Sequence, residues 1–309
     1  MSFITHRACK GLTLALFAAL FAAVPARGDI LYVANYTSST IGKFTSGGVG
    51  SVFATAFLSS PTGLTFDRAA NLYAANYNPN TIVGFTPGGV GSVFASSGLN
   101  NPIGLAFDSA GNLYAANYFN STIEKFTPGG AASVFASAGL NGPTGLAFDS
   151  TGNLYASNYN NSTIEKFTPD GVGSVFASGG LNQPFGLAFD GAGNLYAANF
   201  GGNSIEKFTL SGIGSVFASS GLNGPYGMAF DGASNLYAAN SGNNTIEKFT
   251  PGGVGSVFAS SGLSTPEFLA FTTDAGVPLA LANTPEPASL SLLALGGLAL
   301  LRRSRRRAV

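Results

Sequence analysis

The stretch Asn112 to Gly152 reads NLYAANYFNSTIEKFTPGGAASVFASAGLNGPTGLAFDSTG, and then the chain begins the same text again. A Leu-Tyr pair marks the period, with Tyr32, Tyr73, Tyr114, Tyr155, Tyr196 and Tyr237 falling 41 residues apart without a slip. A repeat of that size is one supersecondary unit that cannot bury its own apolar faces and must stack on its neighbours. Six copies in fixed register therefore constrain the fold more than any other feature.

Within the copy that starts at Pro102, four segments read as strands separated by turn chemistry. Ile103 to Phe107 ends in Asp108-Ser109-Ala110-Gly111, where Asp at the first turn position and Gly at the fourth favour a type I turn. Leu113 to Tyr118 follows, then Thr122 to Thr127, which stops at Pro128-Gly129-Gly130. The fourth segment is Ser133 to Ser137. Four short antiparallel strands with apolar side chains on both faces of the inner ones describe the blade of an all-β, six-bladed β-propeller over residues 29–272. A β-solenoid is the structural alternative, but its coils are usually shorter. The chain starts at a second strand, Leu31 to Tyr36, and its last first strand is Phe268 to Phe271. If the ring closes, that late strand completes the blade begun by residues 30–54, and closure removes open sheet edges. Residues 273–284 read as a linker.

Charge and chemistry narrow the function. Between Asp29 and Pro285 the chain carries 6 Lys and Arg against 13 Asp and Glu, a net charge of about −7. Nucleic acid is disfavoured as a partner, because its binding needs a basic surface to replace counterions. The single Cys, Cys9, and the single His, His6, lie in the first ten residues. If those are removed on export, the mature chain has no thiol, no imidazole base and no His- or Cys-ligated metal.

The two ends differ in kind from the array. Arg7 and Lys10 precede an apolar run, Gly11 to Val24, with small residues at its exit. This reads as a secretory signal over residues 1–28, cleaved after Ala26 or Gly28, rather than a membrane span or a buried helix. At the other end, Thr284-Pro285-Glu286-Pro287 leads into the apolar run Leu290 to Leu301 and then Arg302, Arg303, Arg305, Arg306 and Arg307. As a helix that run is about 18 Å long, so crossing a membrane would enlist its flanks and snorkelling arginines. The arginines stay cytoplasmic under the positive-inside rule, leaving the propeller outside the cytoplasm with residues 288–301 in the membrane.

The blade text, Pro-x-Gly-Leu-Ala-Phe-Asp, Gly-Asn-Leu-Tyr-Ala-Ala-Asn and Ile-Glu-Lys-Phe-Thr-Pro, resembles the NHL repeat across nearly all of residues 30–272. It does not resemble the Trp-Asp repeat, since the chain has no Trp. Residues 285–309 resemble a PEP-CTERM sorting signal through Pro285-Glu286-Pro287, a short apolar segment and the arginine cluster in that order. That resemblance implies export, recognition and removal of the tail by an exosortase-type membrane protease, and delivery to the cell surface or an exopolysaccharide matrix. A plain membrane anchor is the alternative for the tail.

Comparison of the copies with one another points to candidate sites. The residue after the blade-opening Pro varies: Thr62, Ile103, Thr144, Phe185, Tyr226 and Glu267. So does the loop after the second strand, and both sets rim one face of the central channel. An amide recurs beside them at Asn35, Asn76, Asn117, Asn158, Asn199 and Asn240. These asparagines either cap loop backbone groups or join Phe185, Tyr226 and Glu267 in binding a carbohydrate. Asp67, Asp108, Asp149, Asp190 and Asp231 fall on the opposite face and read as hairpin-turn caps rather than a metal ring. Glu124, Glu165, Glu206 and Glu247, each beside a Lys, read as a solvated stripe.

Two functions compete, with a purely structural spacer as a third. The first is a non-catalytic surface or matrix protein binding polysaccharide or another protein, with no cofactor. The second follows from the resemblance, because propellers similar to NHL proteins include virginiamycin B lyases and gluconolactonases. A lactonase would need a divalent cation in the channel, where Glu267 offers the one carboxylate; the lyase is disfavoured by the missing His.

Overall fold

The computed structural model describes residues 28–279. The expected signal segment and sorting tail lie outside the described residues, except for Gly28. Among the described residues, twenty-four strands form six four-stranded antiparallel sheets, each the blade of a propeller. Blade four is representative. Its strands run Pro143–Phe148, Leu154–Asn158, Thr163–Phe167 and Gly173–Ala177, each pairing with the next. Blades are numbered from the one that the chain begins at Asp29, so blade two covers residues 61–95.

The ring shuts as the position of the late strand predicts. Pro266–Thr273 pairs antiparallel with Asp29–Asn35, with Leu31 opposite Phe271 and Val33 opposite Leu269, so the two ends of the array build blade one together. Asp29 adds a second latch, its carboxylate accepting the Gly232 backbone N–H at 2.7 Å from the turn of blade six. The closing strand extends past the expected Phe271 to Thr273, and residues 274–279 turn back onto it, Leu279 N–H donating to the Phe271 carbonyl. Closure leaves two edges per blade, one on the innermost strand at the axis and one on the outermost strand. The outermost strand of each sheet has a single partner, contrary to the expectation that ring closure abolishes edges.

Blade-to-blade packing explains the repeat. Phe44, Phe85, Phe126, Phe167, Phe208 and Phe249 are the largest fully buried side chains, and burying each contributes about 1.5–3 kcal/mol. The glycine two residues after each blade-opening Pro has a different duty. A Cβ on Gly63, Gly104 or Gly145 would lie 2.1–2.2 Å from the carbonyl oxygen of the next blade's innermost strand. Only glycine lets these backbones meet around the axis, which keeps the channel narrow. In the closing strand Phe268 stands at that position.

Candidate functional site

The channel mouth is the end where first strands start and second strands finish. Each recurring asparagine there clamps the loop that leads into its own blade. Asn158 Oδ1 accepts from Asn141 N–H at 3.0 Å, while its Nδ2 donates to the Gly139 carbonyl at 2.9 Å and to Thr163 Oγ1 at 3.1 Å. Asn76, Asn117, Asn199 and Asn240 repeat the pattern, and Asn35 carries it across the closure to Ser264 and Gly262. All six are buried. Their amide hydrogens are thus engaged by the fold, in the backbone-capping role.

The residues after the blade-opening prolines line the channel, but two of them also carry structural duties. Thr62 Oγ1 donates to the Pro102 carbonyl and Thr144 Oγ1 to the Pro184 carbonyl, each at 3.0 Å, tying one blade to the next. Ile103 and Phe185 are buried. Phe185 and Tyr226 stack with ring centroids 3.8 Å apart and tilted by 34°. Glu267 is 4% exposed, and its Oε2 is buried with no hydrogen-bond partner among the described residues. Burial pushes its carboxyl well above the usual range, and it pushes the Tyr226 hydroxyl up as well, with Glu267 adding to the effect. Burial thus disfavours the charged form of a carboxyl that lies close enough to Tyr226 to act on its hydroxyl.

A feature that the sequence reading passed over surrounds this throat. The residue immediately after each asparagine is Tyr36, Tyr77, Tyr118, Tyr159, Phe200 and, in blade six, Ser241. The five aromatics are half-buried and form a collar, with ring centroids at 6.2 Å for Tyr36 and Tyr77, 6.1 Å for Tyr118 and Tyr159, and 6.5 Å for Tyr159 and Phe200. Phe119 bridges Tyr77 and Tyr118, and Phe200 meets Tyr226 at 5.9 Å, so the collar is continuous with the throat. Burial and then the neighbouring phenols raise the Tyr77 and Tyr118 hydroxyls. The signal was available as an aromatic in five of six copies. It was missed because the position reads equally well as the last residue of a strand.

The opposite face is built from the aspartate turns. Asp149 Oδ1 accepts from the N–H groups of Thr151 and Asn153, and its Oδ2 accepts from Asn153 Nδ2 and Tyr155 Oη. Asp67, Asp108, Asp190 and Asp231 accept from equivalent groups. The glutamates correct the sequence reading. Glu124, Glu165, Glu206 and Glu247 are each 5% exposed rather than solvated, because they turn inward against Gly98, Gly139, Gly180 and Gly221 of the preceding loop. Burial raises all four carboxyls. Among the described residues, no group of three or more His, Cys, Asp or Glu converges as a metal site would.

Two sequence-family models match the chain. One, the NHL repeat, covers residues 140–167, and the other, the PEP-CTERM protein-sorting motif, covers residues 283–307. The chain is a six-bladed propeller with an NHL repeat and a PEP-CTERM tail. That tail implies a secreted protein, held transiently at the membrane by its C-terminus and processed by an exosortase-type membrane protein. No curated protein matches the sequence. Among solved structures, a chain of a nidogen/laminin complex is 22% identical with a TM-score of 0.72, covering 79% of this chain and 98% of that one. A virginiamycin B lyase from Staphylococcus aureus is 15% identical with a TM-score of 0.63, covering 79% and 88%. A gluconolactonase from Xanthomonas campestris is 18% identical with a TM-score of 0.62, covering 82% and 90%. At these identities the likeness is one of fold.

Proposed function

We propose that this propeller is a non-catalytic binding module of the cell surface or extracellular matrix, and that its collar face takes polysaccharide. The aromatic collar carries the reading. Half-buried rings around the channel mouth offer apolar faces to the C–H faces of sugar rings, while the phenol hydroxyls of the four tyrosines offer hydrogen bonds to sugar hydroxyls. The low charge of the chain, 9% of residues, suits a neutral polymer better than a polyelectrolyte. A protein ligand on the same face is the competing outcome.

The test is binding to a glycan array and to exopolysaccharide isolated from the producing cells. Alanine at Tyr77, Tyr118 or Tyr159 is expected to weaken binding by roughly tenfold per ring, corresponding to about 1.4 kcal/mol. Unchanged binding in the triple variant, or no glycan bound by the wild type, refutes the reading.

A second reading, an enzyme of lactonase or lyase type with a divalent cation in the channel, draws its support from Glu267, the carboxylate in the throat, and from the lyase and gluconolactonase among the fold relatives. Calorimetric titration with calcium decides between them. Tight binding abolished by Glu267→Gln favours the enzyme, and no heat of binding favours the module.

A further inference from the structure

Blade two departs from the other blades at one place on the face opposite the collar. In the other five, a lysine of the third strand lies over the ring of the second-strand tyrosine paired with it. The ammonium-to-centroid distances are 5.7 Å for Lys43 and Tyr32, 5.4 Å for Lys125 and Tyr114, 5.2 Å for Lys166 and Tyr155, and 5.1 Å for Lys207 with Tyr196 and Lys248 with Tyr237. In blades four to six the same nitrogen stands 3.8, 3.5 and 3.5 Å from the turn carboxylates of Asp149, Asp190 and Asp231. Blade two keeps the carboxylate and the ring but not the cation, because the residue paired with Tyr73 is Gly84.

The rest of the arrangement is in place. Tyr73 Oη donates to Asp67 Oδ2 at 3.5 Å, and Asp67 is braced by the N–H groups of Ala69 and Asn71 and by Asn71 Nδ2. Tyr73 is half-buried, whereas Tyr114, Tyr155, Tyr196 and Tyr237 are 3% exposed. A cavity of about 310 Å³ opens there toward blade three, lined by Asp67, Tyr73, Phe94, Phe107 and Asp108 among others. Two carboxylates and three rings favour a cation on an apolar stem, the chemistry that a lysine supplies in the other blades.

We propose that this cavity binds a primary alkylammonium group presented by a ligand. Its nitrogen takes the position over Tyr73 and beside Asp67 that a lysine nitrogen holds elsewhere, and its stem lies against Phe94 and Phe107. Arg68 is the rival occupant from within the chain. It sits at the turn tip, where the other blades carry Ser109, Ser150, Gly191 and Gly232, and it also lines the cavity. It is exposed, and none of the five cation–ring pairs among the described residues involves it.

The experiment titrates the folded propeller with n-butylammonium chloride, using n-butanol as the uncharged control, and follows tyrosine resonances by NMR. Saturable binding in the roughly millimolar range is expected for the amine, where a free energy of about 4 kcal/mol is at stake, and none for the alcohol. Gly84→Lys copies the other blades, and its Cβ would meet the Tyr73 ring at 3.4–3.7 Å, an ordinary contact. This variant is expected to stay folded and to lose at least tenfold in amine affinity. Lys166→Gly is expected to create a second equivalent site in blade four. Arg68→Ser is expected to leave binding equal or tighter. Equal binding of amine and alcohol, retained binding in Gly84→Lys, or binding seen only after Arg68→Ser overturns the proposal.

Discussion

Two sets of carboxylates in this ring experience burial in opposite ways. Burial alone would raise Asp149 and Asp190, yet both are held below the ordinary value of 3.8, because side-chain and backbone N–H groups of Asn153 and Asn194 and their neighbours donate to them. Glu124, Glu165, Glu206 and Glu247 are buried against glycine, and burial raises them above 4.5. Donors arranged by a turn, not depth, decide which carboxyl keeps its charge. Asp149 and Asp190 therefore anchor the turns of their blades in the charged form, while the four glutamates pack against loop glycines at a cost to theirs.

The comparison is broken most severely by removing a member of the first set. Asp149→Ala leaves two backbone N–H groups, an amide, two hydroxyls and Lys166 without their acceptor, so a loss of about 3 kcal/mol is expected in equilibrium unfolding. Glu165→Gln removes only a disfavoured charge, and a change within about 0.5 kcal/mol at neutral pH is expected. Equal losses in the two variants would erase the distinction.

A smaller, pH-dependent effect sharpens it. Asp149 and Asp190 have folded values below their unfolded ones, so their stabilisation is present above 3.8 and is lost as pH falls through the lower folded value. The glutamates and Glu267 have folded values above 4.5, so their contribution is full below 4.5 and is lost as pH rises through the folded value. Thermal unfolding should thus show a maximum at mildly acidic pH. Glu267→Gln should flatten the alkaline limb and leave the acid limb intact, whereas a variant with the same slope above pH 5 as the wild type would place Glu267 outside the cause.

The period of 41 residues, the strands and the closing partner were legible because apolar alternation and turn residues act locally and repeat. The asparagine and aspartate caps were legible for the same reason, since each serves a loop or turn of its own blade. The burial of the glutamates was not, because Glu165 is hidden by Gly139 in the preceding loop, and nothing in the Glu-Lys dipeptide announces that neighbour. The duties of Thr62 and Thr144 were hidden likewise, since their acceptors lie in the next blade, 40 residues away. Variation between copies points to candidate sites in the sequence, but Thr62 and Thr144 at such a position also make a contact with the next blade.

Blade two supplies the finest test of the contrast between the two carboxylate sets, because there the glutamate and its glycine have changed together. Val83 stands at the glutamate position, and Phe57, at φ 63°, stands where Gly98, Gly139, Gly180 and Gly221 stand in the loops that follow. With no carboxylate to house, the hollow that glycine provides is unnecessary, and a bulky residue is accepted despite the left-handed backbone, which costs an L-residue roughly 1–2 kcal/mol. Val83→Glu alone should be destabilising, since its carboxylate would meet the Phe57 side chain. Phe57→Gly alone should change little, because relief of the backbone offsets the loss of a side chain that is 58% exposed. The double variant restores the arrangement of blades three to six, so a coupling of about 1 kcal/mol is expected in the double-mutant cycle. Additivity of the two changes would mean that glutamate and glycine recur together without needing one another.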